Sequence, residues 1–156
     1  LSVVDRDRNM VSIGQTLIST FGCGVVVPGT GMVLGSAMSG LNPEPGHANS
    51  IAPRKRRIQN VCPTLLLKDG KSFLNVGAPG GRAIPVSVAQ VIVNIVDYGM
   101  GIQEAIEAPR ITTEVEEVFV DNRVPRRVCD ALRRMGHQVV EVGRKRTTSP
   151  ARSACS

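Results

Sequence analysis

Aromatic side chains are almost absent from this sequence: its 156 residues include three Phe, one Tyr and no Trp. The base-stacking half of single-stranded nucleic-acid recognition is therefore missing. The net charge of +6 comes mainly from arginine, and its densest cluster, residues 54–57, has no aromatic beside it. We expect the basic clusters to lie on solvated loops and helix faces, and we expect no nucleic-acid partner.

Potential metal ligands and long apolar runs are scarce as well. The cysteines and histidines show no CxxC or other metal-like spacing; they are Cys23, Cys62, Cys129 and Cys155, with His47 and His137. We expect no metal, no cofactor and no disulfide framework. No window reaches transmembrane length and no signal peptide is visible, so we expect no membrane partner. The chain starts at Leu1, inside a strand-like run, and is expected to be a piece of a longer product.

What the sequence does contain is Val, Ile, Leu and Ala in short periodic segments, which predict an α+β layered domain over residues 1–142. The predicted strands are 1–5, 10–19, 64–67, 72–76, 117–121 and 138–142, and the predicted helices are 84–98, 102–108 and 125–135. Asp69-Gly70 marks a hairpin turn, and residues 35–57 form a long loop. From residue 143 the chain is basic and without periodicity, which predicts a disordered tail.

The most informative segment for a functional site is Leu74-Asn75-Val76-Gly77-Ala78-Pro79-Gly80-Gly81, with the apolar run that follows it. It is typical of a buried strand, a glycine turn and a helix that is apolar on nearly all sides, and hence buried between layers. Free N–H groups and the positive end of the helix dipole would face the turn. The turn is therefore either an oxyanion or anion site, or a tight connection without a ligand.

A nucleophile for such a site is not evident among the residues. The sequence has no GxSxG elbow, no spaced Ser/His/Asp set and no Cys/His pair. An N-terminal Ser or Thr can be both nucleophile and base through its own α-amine, but Leu1 cannot. An enzyme built on this chain would therefore take its nucleophile from elsewhere.

Several motifs, in order, resemble the small subunit of gamma-glutamyltransferases (gamma-glutamyltranspeptidases, or glutathione hydrolases). The motifs are Leu1-Ser2-Val3-Val4-Asp5, Gln15-Thr16-Leu17, Phe21-Gly22-Cys23-Gly24, Leu67-Lys68-Asp69-Gly70-Lys71, Gly77-Ala78-Pro79-Gly80-Gly81 and Ala105-Ile106-Glu107-Ala108-Pro109-Arg110. The resemblance implies an N-terminal-nucleophile hydrolase with an αββα sandwich, matured by self-cleavage, with a large subunit from the same precursor as partner and a γ-glutamyl or acyl-amide small molecule as substrate. It also implies a periplasmic or extracellular location.

The resemblance assigns roles to three residues of this chain. The catalytic Thr is expected three residues upstream of Leu1. Thr16 matches a strand Thr whose hydroxyl orients the nucleophile, and on a hairpin it lies across from the N-terminal end of the first strand. Gly80 and Gly81 match the paired glycines whose N–H groups stabilise the tetrahedral oxyanion. Expressed alone, residues 1–156 are expected to be inactive.

The residues expected to bind the glutamyl group differ from the family pattern. Ile18 replaces a polar Asn, and Ala37 and Gly40 replace the amide or acid and the aspartate that hold the α-amine. Gln59 and Asn60 replace a carboxylate-binding Ser pair and can still hydrogen-bond a carboxylate. The sequence thus predicts a Thr amidohydrolase for γ-glutamyl groups such as that of glutathione, with a non-glutamyl acylase or an inactive truncated member as alternatives.

Overall fold

The computed structural model describes residues 1–114 and 116–143, without the side chain of Glu114. The chain divides into two compact units. The first contains Leu1–Ile13 and the residues from Asn60 onward, and the second contains Gly14–Gln59. Most of the predicted tail, residues 144–156, lies outside the described residues, and the prediction of one domain over 1–142 stays a prediction.

Two antiparallel hairpins open the first unit. The N-terminal hairpin joins β1, Ser2–Val4, to β2, Met10–Ser12, with Val3 opposite Val11. The other joins β3, Thr64–Lys68, to β4, Lys71–Val76. Both central residues of its turn, Asp69 and Gly70, have positive φ, the backbone of the predicted Asp-Gly turn.

The predicted strand 10–19 is wrong beyond its first residues. β2 ends at Ser12, and residues 13–17 have no regular structure. Apolar residues such as Leu17 and Ile18 gave the segment a partial alternation, but both remain exposed. Without a buried face, alternation does not hold a strand in place.

Two helices follow the second hairpin: α1, Ile84–Val96, and α2, Ile102–Glu107. Pro85 lies in the first turn of α1, as predicted. The expectation that α1 is buried on nearly all sides is wrong in the described structure. It buries Ile84, Ser87, Val88 and Val91, whereas Val93 and Val96 are 41% and 54% exposed.

A three-stranded sheet with a crossover helix completes the first unit. Its strands are β5, Ile111–Glu114; β6, Glu117–Asp121; and β7, Gln138–Val142; α3, Arg126–Arg134, connects the last two. β6 is central, antiparallel to β5 and parallel to β7. The predictions of β6 and β7 are confirmed, whereas β5 was not predicted. The core of this region is Val118, Val120 and Cys129, with Val124, Leu132 and Val139 packed against it.

A buried carboxylate orders the turn after β6. Asp121 is 1% exposed, and it accepts hydrogen bonds from the Arg123 N–H, Nε and Nη2. The Arg123 Nη1 reaches the carbonyl of Glu107 at the end of α2. The hydrogen bond with Asp121 raises the pKa of Arg123 above its ordinary value, so the pair stays charged and ties the sheet to α2.

The second unit is mostly irregular, as predicted for the loop 35–57. Its regular structure is one 3-10 turn, Ala37–Gly40, and isolated bridges that pair Val26 with Val33 and Asn42 with Ser50. The mixture of helices and strands in the first unit confirms the α+β class. Across the described part of the chain, no helix is both long enough and apolar enough to span a membrane.

Candidate active site

The turn after β4 places two backbone amides side by side in the first unit. β4 ends at Val76, and Gly80 and Gly81 lead through one 3-10 turn into α1. Gly80 has φ 136° and ψ 24°, a conformation that residues with a Cβ avoid. Gly81 has φ 60°, in the left-handed region. Glycine at both positions therefore allows the backbone conformation that sets the direction of these N–H groups.

Both N–H groups are available to a ligand. Among residues 1–114 and 116–143, neither the Gly80 nor the Gly81 amide donates a hydrogen bond. A Cβ built on Gly81 would meet no described atom within 4 Å, so a group can approach closely. Paired donors of this kind stabilise an oxyanion when one forms beside them. The oxyanion role predicted for Gly80 and Gly81 fits this geometry and stays a prediction.

The N-terminal hairpin belongs to the same unit and extends one pair beyond β1 and β2. The Leu1 α-amine donates to the Ile13 carbonyl, and the Ile13 N–H donates to the Leu1 carbonyl, both at 2.9 Å. Leu1 itself has an exposed apolar side chain. The hairpin therefore holds the start of the described chain in an ordered strand.

Thr16 lies in the second unit, in a loop, and not in the strand predicted for it. Its Oγ1 accepts a hydrogen bond of 2.9 Å from the Ile18 N–H. Ser36 ties this loop down: its Oγ donates to the Leu17 carbonyl and accepts from the Ser19 N–H. A hydroxyl that accepts one bond can still donate its proton, so the orienting role predicted for Thr16 stays a prediction.

Ile18 has an unfavourable backbone conformation. Its φ is 71°, which is rare for a β-branched residue, whereas Asn adopts it readily. The Asn that the sequence resemblance implies here would fit this backbone conformation, whereas Ile18 has no polar side chain to offer a ligand.

In the second unit, the predicted acyl-binding residue Gln59 and the substituted position Gly40 both lie beside an arginine. Arg57 Nη2 donates to Gln59 Oε1 at 2.5 Å. A Cβ built on Gly40 would lie 2.5 Å from Arg57 Nη1, so the guanidinium occupies the space beside Gly40. Asn49 connects the two segments, because its Nδ2 donates to the Gly40 carbonyl and its Oδ1 accepts from the Ile58 N–H.

The charge beside Gly40 is therefore positive. No carboxylate of a described residue lies within ion-pair distance of Arg57, and Arg57 is half-buried. Such a guanidinium favours a carboxylate and disfavours an ammonium. No group of three or more His, Cys, Asp or Glu side chains that could hold a metal is found among the described residues.

The predicted site residues fall into separate groups. Gly80 and Gly81 lie together in the first unit, and Asn60 belongs to the same unit. Gln59 meets Arg57 in the second unit, which also contains Thr16. Arg57 was predicted only as part of a basic cluster. The signal that could have singled it out is its position two residues before Gln59.

Comparison with known proteins identifies the family. The gamma-glutamyltranspeptidase family model matches residues 1–153.

The chain belongs to the gamma-glutamyltranspeptidase family.

The resemblance seen in the sequence is thereby confirmed, and individual relatives agree with it. The chain is 41% identical over 140 residues to an acylase ACY 1 proenzyme of Pseudomonas sp. (strain SE83), covering 90% of this chain and 25% of the relative. It is 41% identical over 138 residues to a glutathione hydrolase proenzyme of Bacillus subtilis subsp. natto, covering 88% and 24%.

Solved structures lead to the same family. The gamma-glutamyltranspeptidase T380A mutant of Helicobacter pylori matches with a TM-score of 0.81 and 36% identity, over 91% of this chain and 83% of that one. This chain spans about a quarter of the length of the curated relatives it matches. These relatives include both acylases and glutathione hydrolases, so family membership alone does not identify the acyl group.

Proposed function

We propose that this chain is the small-subunit part of a Thr amidohydrolase that forms an acyl-enzyme and passes the acyl group to water or to an amine. The observation that carries the proposal is the pair of unbonded N–H groups at Gly80 and Gly81. They lie in the turn that follows β4, with three residues between its end at Val76 and Gly80, and β4 holds the N-terminal hairpin through side-chain hydrogen bonds. An acyl transfer needs an oxyanion site of this kind within reach of a nucleophile.

The nucleophile of the proposal is a Thr three residues before Leu1 in the precursor. Ser2 pairs with Ser12 and Leu1 pairs with Ile13, so each step back along the first strand is matched by one step forward along the second. This pairing ends at Ile13, because residues 13–17 have no regular structure, so the link between the proposed Thr and Thr16 rests on the family resemblance. The Thr α-amine would be the general base and its hydroxyl the attacking group, with the Thr16 hydroxyl as orienting partner.

The large subunit of the same precursor is the proposed partner, and the αββα sandwich is the proposed complete fold. Apolar side chains on the hairpins and on α1 support this, because Leu67 is 66% exposed and Val96 is 54% exposed. Exposed apolar surface of this extent is typical of an interface. We infer that the missing layers cover these side chains.

The γ-glutamyl group of glutathione is the first candidate for the acyl group. Gln59 and Asn60 would then bind its α-carboxylate. A second candidate, an acyl group with a carboxylate but no α-amine, is favoured by the Arg57 guanidinium beside Gly40. A γ-glutamyl α-ammonium placed there would meet a positive charge where the family has an aspartate, and an unpaired buried ammonium is costly.

The experiment compares two substrates that differ only in that ammonium: γ-glutamyl anilide and glutaryl anilide. The full-length precursor is expressed and its self-cleavage is followed by mass spectrometry. Release of aniline from either substrate supports the acyl-enzyme proposal, and an absence of self-cleavage contradicts it. Preference for the glutaryl compound supports the acylase candidate, whereas preference for the γ-glutamyl compound supports glutathione.

Two variants connect that preference to the residues. Arg57→Ala should lower cleavage of the glutaryl substrate about tenfold or more, because hydrogen bonds to charged groups contribute roughly 1.5–3 kcal/mol. Arg54→Ala removes a neighbouring positive charge and serves as the matched control. If both variants lose the same activity, net charge and not Arg57 explains the preference.

A further inference from the structure

Asn75 connects the two hairpins of the first unit with a single side chain. It lies in β4 between Leu74 and Val76, the one amide in that apolar run. Its Nδ2 donates to the Val11 carbonyl at 2.9 Å and to the Val3 carbonyl at 3.4 Å. Because Val3 and Val11 face each other in the N-terminal hairpin, one amide group holds both β1 and β2.

The two carbonyls already take part in the hairpin. Hydrogen-bonded pairs alternate along an antiparallel ladder, and Leu1 with Ile13 is such a pair. Val3 with Val11 is the next one, so each carbonyl accepts a ladder bond and uses its second lone pair for Asn75. The amide cannot be turned around, because its oxygen would then face two carbonyl oxygens.

The oxygen of the Asn75 amide indicates that the residue stabilises the structure through its Nδ2 hydrogen bonds and not through its oxygen. Asn75 Oδ1 is buried and accepts no hydrogen bond from the described residues. A buried acceptor without a donor is destabilising, and an apolar side chain of similar size would avoid that cost. The donor group is what an apolar residue could not supply.

A second connection lies at the opposite end of the seam between the hairpins. Ser72 Oγ donates to the Arg8 carbonyl at 2.6 Å, and Arg8 Nη2 donates to the Ser72 carbonyl at 3.0 Å. Ser72 is at the turn end of β4, whereas Asn75 is at the end that continues into Gly80 and Gly81. The two connections are similar in kind and differ in their distance along the chain from the glycine turn.

We propose that Asn75 is a positioning residue: its Nδ2 fixes the N-terminal hairpin on β4 and thereby sets the distance from the nucleophile to the N–H groups of Gly80 and Gly81. This inference rests on the proposed function, in which the nucleophile lies three residues before Leu1 of the hairpin. A misplacement of about 1 Å between reacting groups can cost roughly a hundredfold in rate.

The test uses Asn75→Asp in the full-length precursor. Asp has the same shape, but its ionised carboxylate cannot donate to Val3 and Val11. We expect kcat for the preferred anilide to fall roughly ten- to a hundredfold, with KM unchanged. Lowering the pH protonates the carboxylate and restores a donor, so the kcat ratio of Asn75→Asp to wild type should rise as the pH falls.

Ser72→Ala is the matched control, because it removes a hydrogen bond of the same seam at the end of β4 that leads away from the glycine turn. It should lower the melting temperature and leave kcat unchanged. If both variants lose kcat in proportion to their loss of melting temperature, or if the Asn75→Asp ratio does not change with pH, Asn75 is only structural and the proposal is overturned.

Hydrogen exchange distinguishes a failure of the Asn75 proposal from a failure of the proposed function on which it rests. The amides of Val3 and Val11 should exchange faster in Asn75→Asp than in Ser72→Ala. If the wild-type precursor cleaves no anilide but exchange is still faster in Asn75→Asp, the hairpin contact is supported and the proposed function is refuted. Unchanged exchange would overturn the role of Asn75 whatever the activity.

Discussion

Replacing Gly80 by Ala is the sharpest test of the glycine turn. At φ 136° and ψ 24°, a residue with a Cβ is strained by about 1–3 kcal/mol. The chain can relieve that strain by rotating about Gly80, which turns the following Gly81 N–H away from its present direction. Loss of one oxyanion donor costs about 3–4 kcal/mol of barrier, so kcat should fall roughly 10²–10³-fold.

Gly81→Ala is the natural comparison. Its φ of 60° lies in the left-handed region, where an L residue is strained by about 1–2 kcal/mol, and no described atom lies within 4 Å of the new Cβ. The N–H is retained, so kcat should fall less than in Gly80→Ala at a similar loss of stability. The assay measures anilide release and thermal unfolding side by side. Full kcat in Gly80→Ala would refute the assignment of this turn as an oxyanion site.

Three further predictions concern stability. Ile18→Asn should raise the free energy of unfolding by about 1 kcal/mol in chemical denaturation, because Asn tolerates the φ of 71°; Leu17→Asn, at a neighbouring exposed position, should give no such gain. Val120→Ala should lower it by about 2 kcal/mol or more, since Val120 is fully buried and its loss leaves a cavity; the exposed Val128→Ala should cost much less. The Asn9 side-chain hydrogen bond lowers the pKa of Asp5 below 3.8. The stabilisation from ionised Asp5 is therefore present above the unfolded-state pKa and is lost as the pH falls through the folded-state pKa. The melting temperature of Asp5→Asn should fall less on acidification than that of the wild type, and an identical fall would contradict this.

Local sequence signals were enough where a segment's own residues specify its structure. The Asp69-Gly70 turn, the start of α1 at Ile84 and the strand β6 were predicted from positive-φ preference, a first-turn proline and apolar β-branched residues. β5 was missed because its short run contains two threonines and receives its partner only from β6. The motif around Gly80 and Gly81 was likewise visible, since only glycine allows such a turn.

The sequence by itself determined the α+β class, the family and the glycine turn, because these depend on residue types at fixed local spacing. Tertiary structure alone decided that Thr16 lies in a loop, that Arg57 stands beside Gly40 and that Asn75 holds the N-terminal hairpin. These facts join residues up to 72 positions apart, as Asn75 and Val3 are. A pairing at that separation depends on how the hairpins pack, which no local pattern specifies.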